Sequence, residues 1–443
     1  MDEERLLKPV NVGLLGLGTV GAGTVNLLAE NAREITRRAG RTVRVTHAAV
    51  RDLSKPRACD VEGIRISDDP AAVVADPEVD VVLELIGGTD EAYRLVMAAI
   101  EHGKHVVTAN KHLIALYGNE IFAAADNRGV VVTFEAAVAG GIPIIKAIRE
   151  GLAANRIEWL AGIINGTSNF ILSQMMFEGK EFDEALAEAQ ELGYAEADPT
   201  FDVEGVDAAH KLAILGSIAF GIPLSYDQIY TQGIRDLAVE DIAYCEEMGY
   251  RIKHLGIARR QDGGVEMRVH PTLVSEKALL ASVEGEKNAV MVYGDAVGPT
   301  VYYGAGAGAG PTASAVVADL IDTVRIMSVD PAGRVPHLAF QPDQISNEPI
   351  MGAEDFYCGH YFRIQVADEP GVMAEITGLL AELDVSIEAI LQKDPEEGGD
   401  DAFIIIVTKP VREGRLIEGL DQIRALPYTR EGVVHMRVAQ FED

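Results

Sequence analysis

The chain has 443 residues, which at roughly 150 residues per domain predicts about three domains. Lys and Arg number 38 against 69 Asp and Glu, and the resulting net charge of −31 repels phosphate backbones and anionic membrane surfaces. Hydrophobic residues make up 48% and charged residues 24%, which is the balance of an ordinary globular protein. These values exclude global disorder and argue against nucleic acid or a membrane as a partner.

The cellular compartment is indicated by three negative observations. The first ten residues, MDEERLLKPV, are partly acidic and lack the apolar stretch and cleavage site of a secretory signal. No apolar run approaches the roughly 20 residues that a membrane span needs. The three cysteines, Cys59, Cys245 and Cys358, are too widely spread for a disulfide framework or a metal cluster. We therefore expect a cytoplasmic protein.

The first 140 residues alternate strand and helix patterns. An apolar strand, KPVNVGLL, breaks into glycines and is followed by a helical segment, and the strands VRVTHAAV, VDVVLELIGG and KHVVTAN come later with a helix, EAYRLVMAAIEHG, between the last two. This alternation predicts an α/β domain with a parallel, doubly wound sheet over residues 1–140.

The rest of the chain predicts two further domains. Residues 141–325 mix longer helices and strands, which is typical of an α+β domain, and the helix at 311–326 either closes this domain or returns to the first. Residues 326–357 are rich in Pro, Asp, Gly and Asn and predict a linker. Residues 358–443 predict the ferredoxin-like order βαββαβ, with a solvated acidic turn, PEEGGDD, between two of its strands.

A glycine fingerprint stands between the first strand and the first helix. Its glycines, Gly16, Gly18 and Gly21, let the backbone and the helix N-terminus approach a pyrophosphate. The whole turn is therefore a candidate dinucleotide site, with Leu17, Thr19 and Val20 as its other members. The alternative is a tight turn without a ligand.

Two basic residues stand where such domains usually carry an acidic ribose ligand. Arg51 follows the second strand and Lys55 lies nearby. Arginine suits a 2′-phosphate, so NADP is permitted beside NAD. The alternative is that Arg51 is only a solvated charge at a strand end.

The segment TANKHL places Lys111 just past a parallel strand, on the edge of the sheet where ligands bind. A surface lysine at the start of a helix is the alternative.

The next block, LGYAEADPTFDVEGVDAAHK, holds Asp207 and Lys211 four residues apart on one helix face, where the carboxylate can hold the ammonium. A solvated surface pair is the alternative there.

A run of acids precedes that pair. Glu196, Asp198, Asp202 and Glu204 crowd a loop, and like charges at this density need a cation, which the ammonium of an amino-acid substrate would supply. His210 is either a general acid or a structural imidazole. Neither the HExxH spacing of zinc proteases nor the GxSxG elbow of serine hydrolases occurs.

Taken in order, the fingerprint, TANK, NGTSN and LGYAEADPTFDVEGVDAAHK closely resemble homoserine dehydrogenases that carry a C-terminal ACT domain. The resemblance spans essentially the whole chain. It implies a Rossmann-type first domain and reversible reduction of L-aspartate 4-semialdehyde to L-homoserine with NADPH or NADH. This reaction is shared by threonine, isoleucine and methionine biosynthesis.

The resemblance also implies roles for individual residues. Lys211 is the expected proton donor to the nascent alkoxide, and Lys111 is a second lysine at the reacting oxygen and the cofactor. Asp207 completes the catalytic set. The residues expected to hold the substrate are Glu196, Asp202, Tyr194 and Thr167. Further contacts to the cofactor are expected from Thr108, Gly193, Gly306 and Gly308.

Members of this family also hold a monovalent cation, commonly sodium, on a loop that here reads FEAAVAGGIPII. The implied ligands are Glu135, Val138, Gly140 and Ile142. Carboxylate and carbonyl oxygens suit a hard cation. The alternative is a turn that only connects two domains. The glycine run YYGAGAGAG, which contains Gly306 and Gly308, departs from the family pattern at Ala305, where proline is more common.

The C-terminal module resembles the ACT fold, with DEPGVMAEIT as the loop that commonly binds an amino acid. The resemblance implies a homodimer or homotetramer and L-threonine as an effector; a module that only assembles subunits is the alternative. Two other functions compete with the main one: another NAD(P)-linked semialdehyde or amino-acid dehydrogenase, and a non-catalytic sensor of nucleotide and amino acid. No cysteine lies in a nucleophilic motif, which argues against phosphorylating semialdehyde dehydrogenases.

Overall fold

The computed structural model describes residues 8–393, 401–430 and 432–441. Residues 1–7, from which we argued against a secretory signal, and most of the predicted acidic turn, at 394–400, lie outside these ranges. The chain divides into two compact units. The first contains Met1–Leu160, Ala209–Asp227 and Lys287–Asn347, and the second contains Ala161–Ala208, Gln228–Glu286 and Glu348–Asp443. The domain boundaries given above stay predictions.

Strands and helices are numbered here in chain order. The strands are β1 (Val10–Leu15), β2 (Val43–Ala49), β3 (Arg65–Ser67), β4 (Val81–Glu84), β5 (His105–Thr108), β6 (Val132–Thr133), β7 (Ile157–Ile163), β8 (Tyr230–Thr231), β9 (Tyr250–Gln261), β10 (Gly264–Ser275), β11 (Lys287–Gly294), β12 (Gly298–Ala305), β13 (Tyr357–Ala367), β14 (Ile387–Lys393), β15 (Asp401–Thr408), β16 (Val411–Arg412) and β17 (Val434–Val438). The helices are α1 (Thr19–Glu30), α2 (Ala32–Ala39), α3 (Pro70–Ala75), α4 (Asp90–Glu101), α5 (Lys111–Arg128), α6 (Ile144–Lys146), α7 (Gly166–Glu178), α8 (Phe182–Glu191), α9 (Thr200–Val203), α10 (Val206–Phe220), α11 (Val239–Glu247), α12 (Ala309–Ile326), α13 (Val372–Glu382) and α14 (Glu413–Arg424). None of the helices in the described ranges has the length and apolar character to cross a membrane.

A six-stranded sheet forms the centre of the first unit. Its order is β3-β2-β1-β4-β5-β6 and every neighbouring pair is parallel. Helices cover both faces of such a sheet, so its strands are almost continuously apolar; Val12, Leu14 and Leu83 are fully buried. The predicted doubly wound α/β sheet is confirmed. The order in which successive strands are added reverses between β1 and β4, and ligands bind at that point in this fold.

Helix α12 packs on α1 in the same unit. A Cβ at Gly23 of α1 would lie 3.0 Å from the backbone oxygen of Ala309, so the glycine allows the two helices to approach closely. Val316 and Leu320 of α12 join the hydrophobic core beneath the sheet. The glycine-rich segment before α12 is thereby held close to the dinucleotide-binding sheet.

The second unit contains a mixed sheet. Strands β9 and β10 form a long antiparallel hairpin; β17 is parallel to β10, and β13, β15 and β14 follow in antiparallel order. From β13 to β17 the chain adds α13 and α14, which pack on one face of these strands through Ile376 and Leu420. This arrangement confirms the predicted ferredoxin-like C-terminal module, with β16 as a short additional strand.

A buried ion pair ties α11 to β13 in the second unit. Asp241 is fully buried, and it accepts two hydrogen bonds from Arg363, at 2.6 and 2.8 Å, and one from the hydroxyl of Tyr361, at 2.7 Å. Removing one partner of such a pair leaves an uncompensated buried charge. The pair therefore fixes α11 on the C-terminal module.

Candidate active site

The turn after β1 depends on two of its three fingerprint glycines for its shape. Gly16 has φ +94°, and a Cβ there would lie 2.6 Å from the backbone oxygen of Leu85. A Cβ at Gly21 would lie 2.2 Å from the backbone oxygen of Gly16. Neither position accommodates a side chain, so both glycines are needed to bring α1 against β1.

The third glycine, Gly18, is not required by packing. Gly18 has an ordinary φ of −85°, and no atom lies within 4 Å of a Cβ built on it. It is the N-cap of α1, with no side-chain cap and no acidic residue in the first turn. The open space and the uncapped, partly positive helix end suit a phosphate group. Of the other members of the turn, Leu17 is buried, Val20 is half-buried and Thr19 is exposed.

Arg51 and Lys55 lie in an exposed loop after β2. The acid beside Arg51, Asp52, is engaged within this loop: it accepts hydrogen bonds from the backbone N–H of Ser54, at 2.9 Å, and from its hydroxyl, at 2.6 Å. These hydrogen bonds hold the pKa of Asp52 below its ordinary value. Arg51 is exposed and is the residue that suits a 2′-phosphate here.

At the ends of β4 and β5 a buried carboxylate, which sequence reasoning missed, organises the loops. Glu84 accepts a hydrogen bond from the Thr108 hydroxyl at 2.5 Å, and Thr108 in turn accepts one from the N–H of Asn110 at 2.9 Å. Asn110 caps the helix that begins with Lys111, by accepting from Leu113 N at 3.1 Å. The clue in the sequence was an acid within the apolar strand VVLE.

The predicted cation loop contains a buried acid. Glu135 accepts hydrogen bonds from the backbone N–H groups of Ile145 and Lys146, both at 2.9 Å. Burial, and then the neighbouring Asp319, raise its pKa to about 7. Ala139 and Gly140 have φ of +54° and +50°, an unusual backbone for alanine, between the predicted ligands Val138 and Ile142, both of which are buried.

The glycine run before α12 lies against this loop. A Cβ at Gly140 would lie 2.4 Å from the backbone oxygen of Gly306, and a Cβ at Gly306 would lie 2.2 Å from the amide of Asn288. Asn288 is fully buried, and neither its oxygen nor its nitrogen has a hydrogen-bond partner. Burying an amide without a hydrogen-bond partner costs folding stability. The amide oxygen of Asn288 is a suitable ligand for a hard cation. Gly308, with φ +118°, is the N-cap of α12.

In the second unit one amide joins two of the predicted acids. The Nδ2 group of Asn165 donates to Asp202 Oδ1 at 2.7 Å and to Asp207 Oδ2 at 2.8 Å. Its oxygen accepts from Ser168 N at 2.8 Å and caps α7. The motifs NGTSN and DPTFDVEGVD, separate in the sequence, thus form one site. Asn165 lies in a motif we quoted but was not among the predicted site residues.

The predicted substrate residues Tyr194 and Glu196 lie on the loop after α8, together with the predicted cofactor contact Gly193, and Thr167 lies in α7. The Thr167 hydroxyl donates to the backbone oxygen of Tyr194 at 2.7 Å, so these two residues are in contact. Gly193, with φ +76°, Tyr194 and Glu196 are exposed. Their exposure leaves them accessible to a ligand.

Helix α10 carries both members of the predicted catalytic pair. Asp207 is 3% exposed and Lys211 is 8% exposed, so the alternative of a solvated surface pair is wrong. The His210 ring lies 4.1 Å from that of Tyr226 and 4.5 Å from that of His112, the neighbour of Lys111. The buried, stacked His210 favours the structural alternative.

Known families match along the chain. A family model for homoserine dehydrogenase matches residues 143–321, one for the NAD-binding domain of homoserine dehydrogenase matches residues 16–135, and one for the ACT domain matches residues 360–427. A homoserine dehydrogenase of Pseudomonas aeruginosa is 58% identical over 434 residues, covering 98% of this chain and 100% of the relative. One from Neisseria gonorrhoeae is 53% identical over 438 residues, with 99% and 100% covered.

The chain belongs to the homoserine dehydrogenase family.

Solved structures agree with this assignment. The crystal structure of a homoserine dehydrogenase from Thiobacillus denitrificans has a TM-score of 0.93 and 58% identity, and the match covers 98% of this chain and 99% of that one. A hyperthermophilic archaeal homoserine dehydrogenase in complex with NADPH has a TM-score of 0.60 and 26% identity over 71% of this chain and 98% of its own. This homoserine dehydrogenase is an NAD(P)-dependent oxidoreductase, so the non-catalytic sensor and the other dehydrogenases are set aside.

The glycine turn yields a matched pair of variants. Gly18→Ala places a methyl group in open space, so we expect an unchanged thermal midpoint and at least tenfold weaker NADPH binding. Gly21→Ala clashes with the backbone of Gly16, and we expect a clearly lower midpoint. Nucleotide fluorescence and thermal unfolding measure the two effects; normal NADPH affinity in a folded Gly18→Ala protein would contradict the assigned phosphate site.

Proposed function

We propose that this homoserine dehydrogenase catalyses the reversible reduction of L-aspartate 4-semialdehyde to L-homoserine, in the biosynthesis of threonine, isoleucine and methionine. The observation that carries the proposal is the pair of carboxylates, Asp202 and Asp207, that share the amide of Asn165. Two adjacent anions held in this way suit the ammonium group of an amino-acid substrate. Lys211 follows Asp207 by one turn of the same helix.

The proposed chemistry divides between the cofactor and the chain. Bound nicotinamide dinucleotide supplies a hydride to the aldehyde carbon. Lys211 donates a proton to the oxygen that becomes the hydroxyl, and the ammonium of Lys111 stabilises the developing negative charge on the same oxygen. Asp207 and Asp202 together hold the ammonium group of the substrate.

The loop after α8 completes the proposed substrate site. Glu196 adds a further carboxylate, and the exposed ring of Tyr194 adds a phenol group. Thr167 fixes this loop through the Tyr194 carbonyl. These groups orient the substrate, and the negative charge of the carboxylate attracts cations.

We propose either NADP or NAD as the cofactor, held by the turn from Gly16 to Gly21. The space above Gly18 and the uncapped start of α1 support pyrophosphate binding. Arg51 and Lys55 favour NADP, the phosphorylated form, in agreement with the archaeal relative that was solved with NADPH. Thr108, Lys111, Gly193, Gly306 and Gly308 are the further proposed contacts.

We propose that the enzyme works in the cytoplasm as a homodimer or homotetramer. All three cysteines are free, and Cys245 and Cys358 are buried thiols, which supports a reducing compartment. The family resemblance supports the assembly.

A Lys211→Ala variant tests the proposed reaction. Since general acid catalysis typically contributes about 10²–10⁴-fold, we expect turnover to fall by that factor while NADPH affinity stays close to normal. Absorbance of the reduced nicotinamide, followed with L-homoserine and NADP or NAD, measures the rate. Lys277→Ala, at an exposed lysine, is the control. Unchanged turnover in Lys211→Ala would refute its role.

We propose a monovalent cation, sodium, at Glu135, Val138, Gly140 and Ile142. A cation beside Glu135 favours its ionised form, which the protein otherwise disfavours by raising its pKa to about 7. We expect a higher thermal midpoint in sodium chloride than in choline chloride at pH 8. The difference should shrink at pH 6, where Glu135 takes up a proton. Equal midpoints in both salts at pH 8 would contradict the site.

We propose L-threonine as an effector of the C-terminal module. A cavity of about 450 Å³ lies at the loop between β13 and α13, lined by residues that include Asp368, Gly371 and Gln392. Asp368 suits an ammonium group, and Gly371, with φ +100°, is the uncapped N-cap of α13, whose N–H groups suit a carboxylate.

Saturating L-threonine should therefore lower the initial rate and raise the thermal midpoint, whereas D-threonine should do neither. If L-threonine changes neither quantity, the module only assembles subunits.

A further inference from the structure

We propose that Glu84 is a positioning residue whose carboxylate fixes the start of the helix that carries Lys111. The proposal rests on the proposed function, because it assigns Glu84 an effect on turnover through Lys111. All of the contacts involved lie within the first unit.

A chain of hydrogen bonds leads from the carboxylate to the helix. The Thr108 hydroxyl donates to Glu84 Oε2 at 2.5 Å, and because its hydrogen is used there, its oxygen can accept the N–H of Asn110 at 2.9 Å. Asn110 then accepts from Leu113 N at 3.1 Å and so caps the first turn of α5. Lys111 is the next residue after this cap.

The other carboxylate oxygen holds the neighbouring loop. Glu84 Oε1 accepts from the N–H groups of Ile86, at 3.1 Å, and Gly87, at 3.3 Å. The Asn110 amide nitrogen donates to the carbonyl of Gly88 at 2.7 Å and closes the arrangement. One carboxylate thus fixes the loops after β4 and β5 at the carboxyl ends of adjacent parallel strands.

Burial opposes the ionised form of Glu84. Glu84 is fully buried, and burial raises its pKa. The folded protein therefore binds a proton at Glu84 more readily than the unfolded chain does, so at higher pH the ionised form costs stability. A glutamine would avoid that cost, but its single acceptor oxygen cannot accept from both Thr108 and the N–H groups of Ile86 and Gly87.

An anion at the start of α5 has an electrostatic purpose. A lysine at the first position of a helix lies at the positive end of the helix dipole, which disfavours its ammonium form. The Glu84 carboxylate, linked to that end through Thr108 and Asn110, offsets this effect. The hydrogen bonds fix the backbone from which the Lys111 side chain extends.

A double-mutant cycle between Glu84 and Lys111 tests the proposal. We expect Glu84→Gln to lower kcat for L-homoserine oxidation tenfold or more, because the amide cannot accept at both positions, with NADPH affinity within threefold. In a Lys111→Ala background the same substitution should change kcat less than twofold. Glu101→Gln, at an exposed carboxylate near the end of α4, is the control and should leave kcat unchanged.

Several results would overturn the proposal. An equal fold-change of kcat in both backgrounds would show that Glu84 does not act through Lys111. A lower midpoint with unchanged kcat would make Glu84 a structural residue. If Glu84→Gln fails to fold, Thr108→Val breaks the same chain and should lower kcat, and Thr108→Ser, which keeps the hydroxyl, should restore it; equal kcat in these two variants would also overturn it.

These results are distinguishable from a failure of the proposed function. A wild-type protein that oxidises no homoserine would refute that function before any variant is compared. Full turnover in Lys111→Ala alone would refute the role of Lys111 and, with it, the action of Glu84.

Discussion

The second unit holds two carboxylates next to each other, at the place where we propose that the substrate binds. Asp202 and Asp207 both accept from the single amide nitrogen of Asn165, and Asp207 is almost fully buried. Bringing like charges together inside a protein is unfavourable unless hydrogen bonds and a cation compensate. The Asn165 amide also caps α7, so the same residue that holds the acids begins a helix of the core. The site and the packing of the second unit therefore depend on one side chain.

Glycine imposes the corresponding constraint on the first unit. At Gly21 and Gly306, close approach of neighbouring backbone or side-chain atoms leaves no room for a Cβ, whereas at Gly18 the space is open. The first kind of glycine is required by packing, whereas the second leaves open space where we propose that the cofactor binds, although both look alike in a motif. The distinction explains why a glycine fingerprint predicts a binding turn without showing which of its glycines contacts the phosphate.

Much of the architecture could be predicted from periodicity, because strands such as β1 and β4 are mostly apolar and are separated by helical patterns. The position of Asp207 and Lys211 on one helix face could be predicted from their spacing, although spacing alone could not show that they are buried. Asn165 and Asn288 could not be singled out, because an asparagine in a loop or strand usually caps a turn or faces solvent. Only the folded chain shows one asparagine between two acids and the other enclosed without a partner.

The enzyme holds buried carboxylates in two different ways. In the second unit Asp241 of α11 is paired with Arg363, and Glu413 of α14 is paired with Arg437, so a guanidinium group neutralises each charge. At the end of β4, Glu84 is held by a hydroxyl group and backbone amides, which orient the carboxylate. A neutralised pair fixes structure and has little field beyond its own atoms, whereas an oriented anion acts on neighbouring cations. The second arrangement occurs at the start of the helix that carries Lys111, the lysine for which we propose a role at the reacting oxygen.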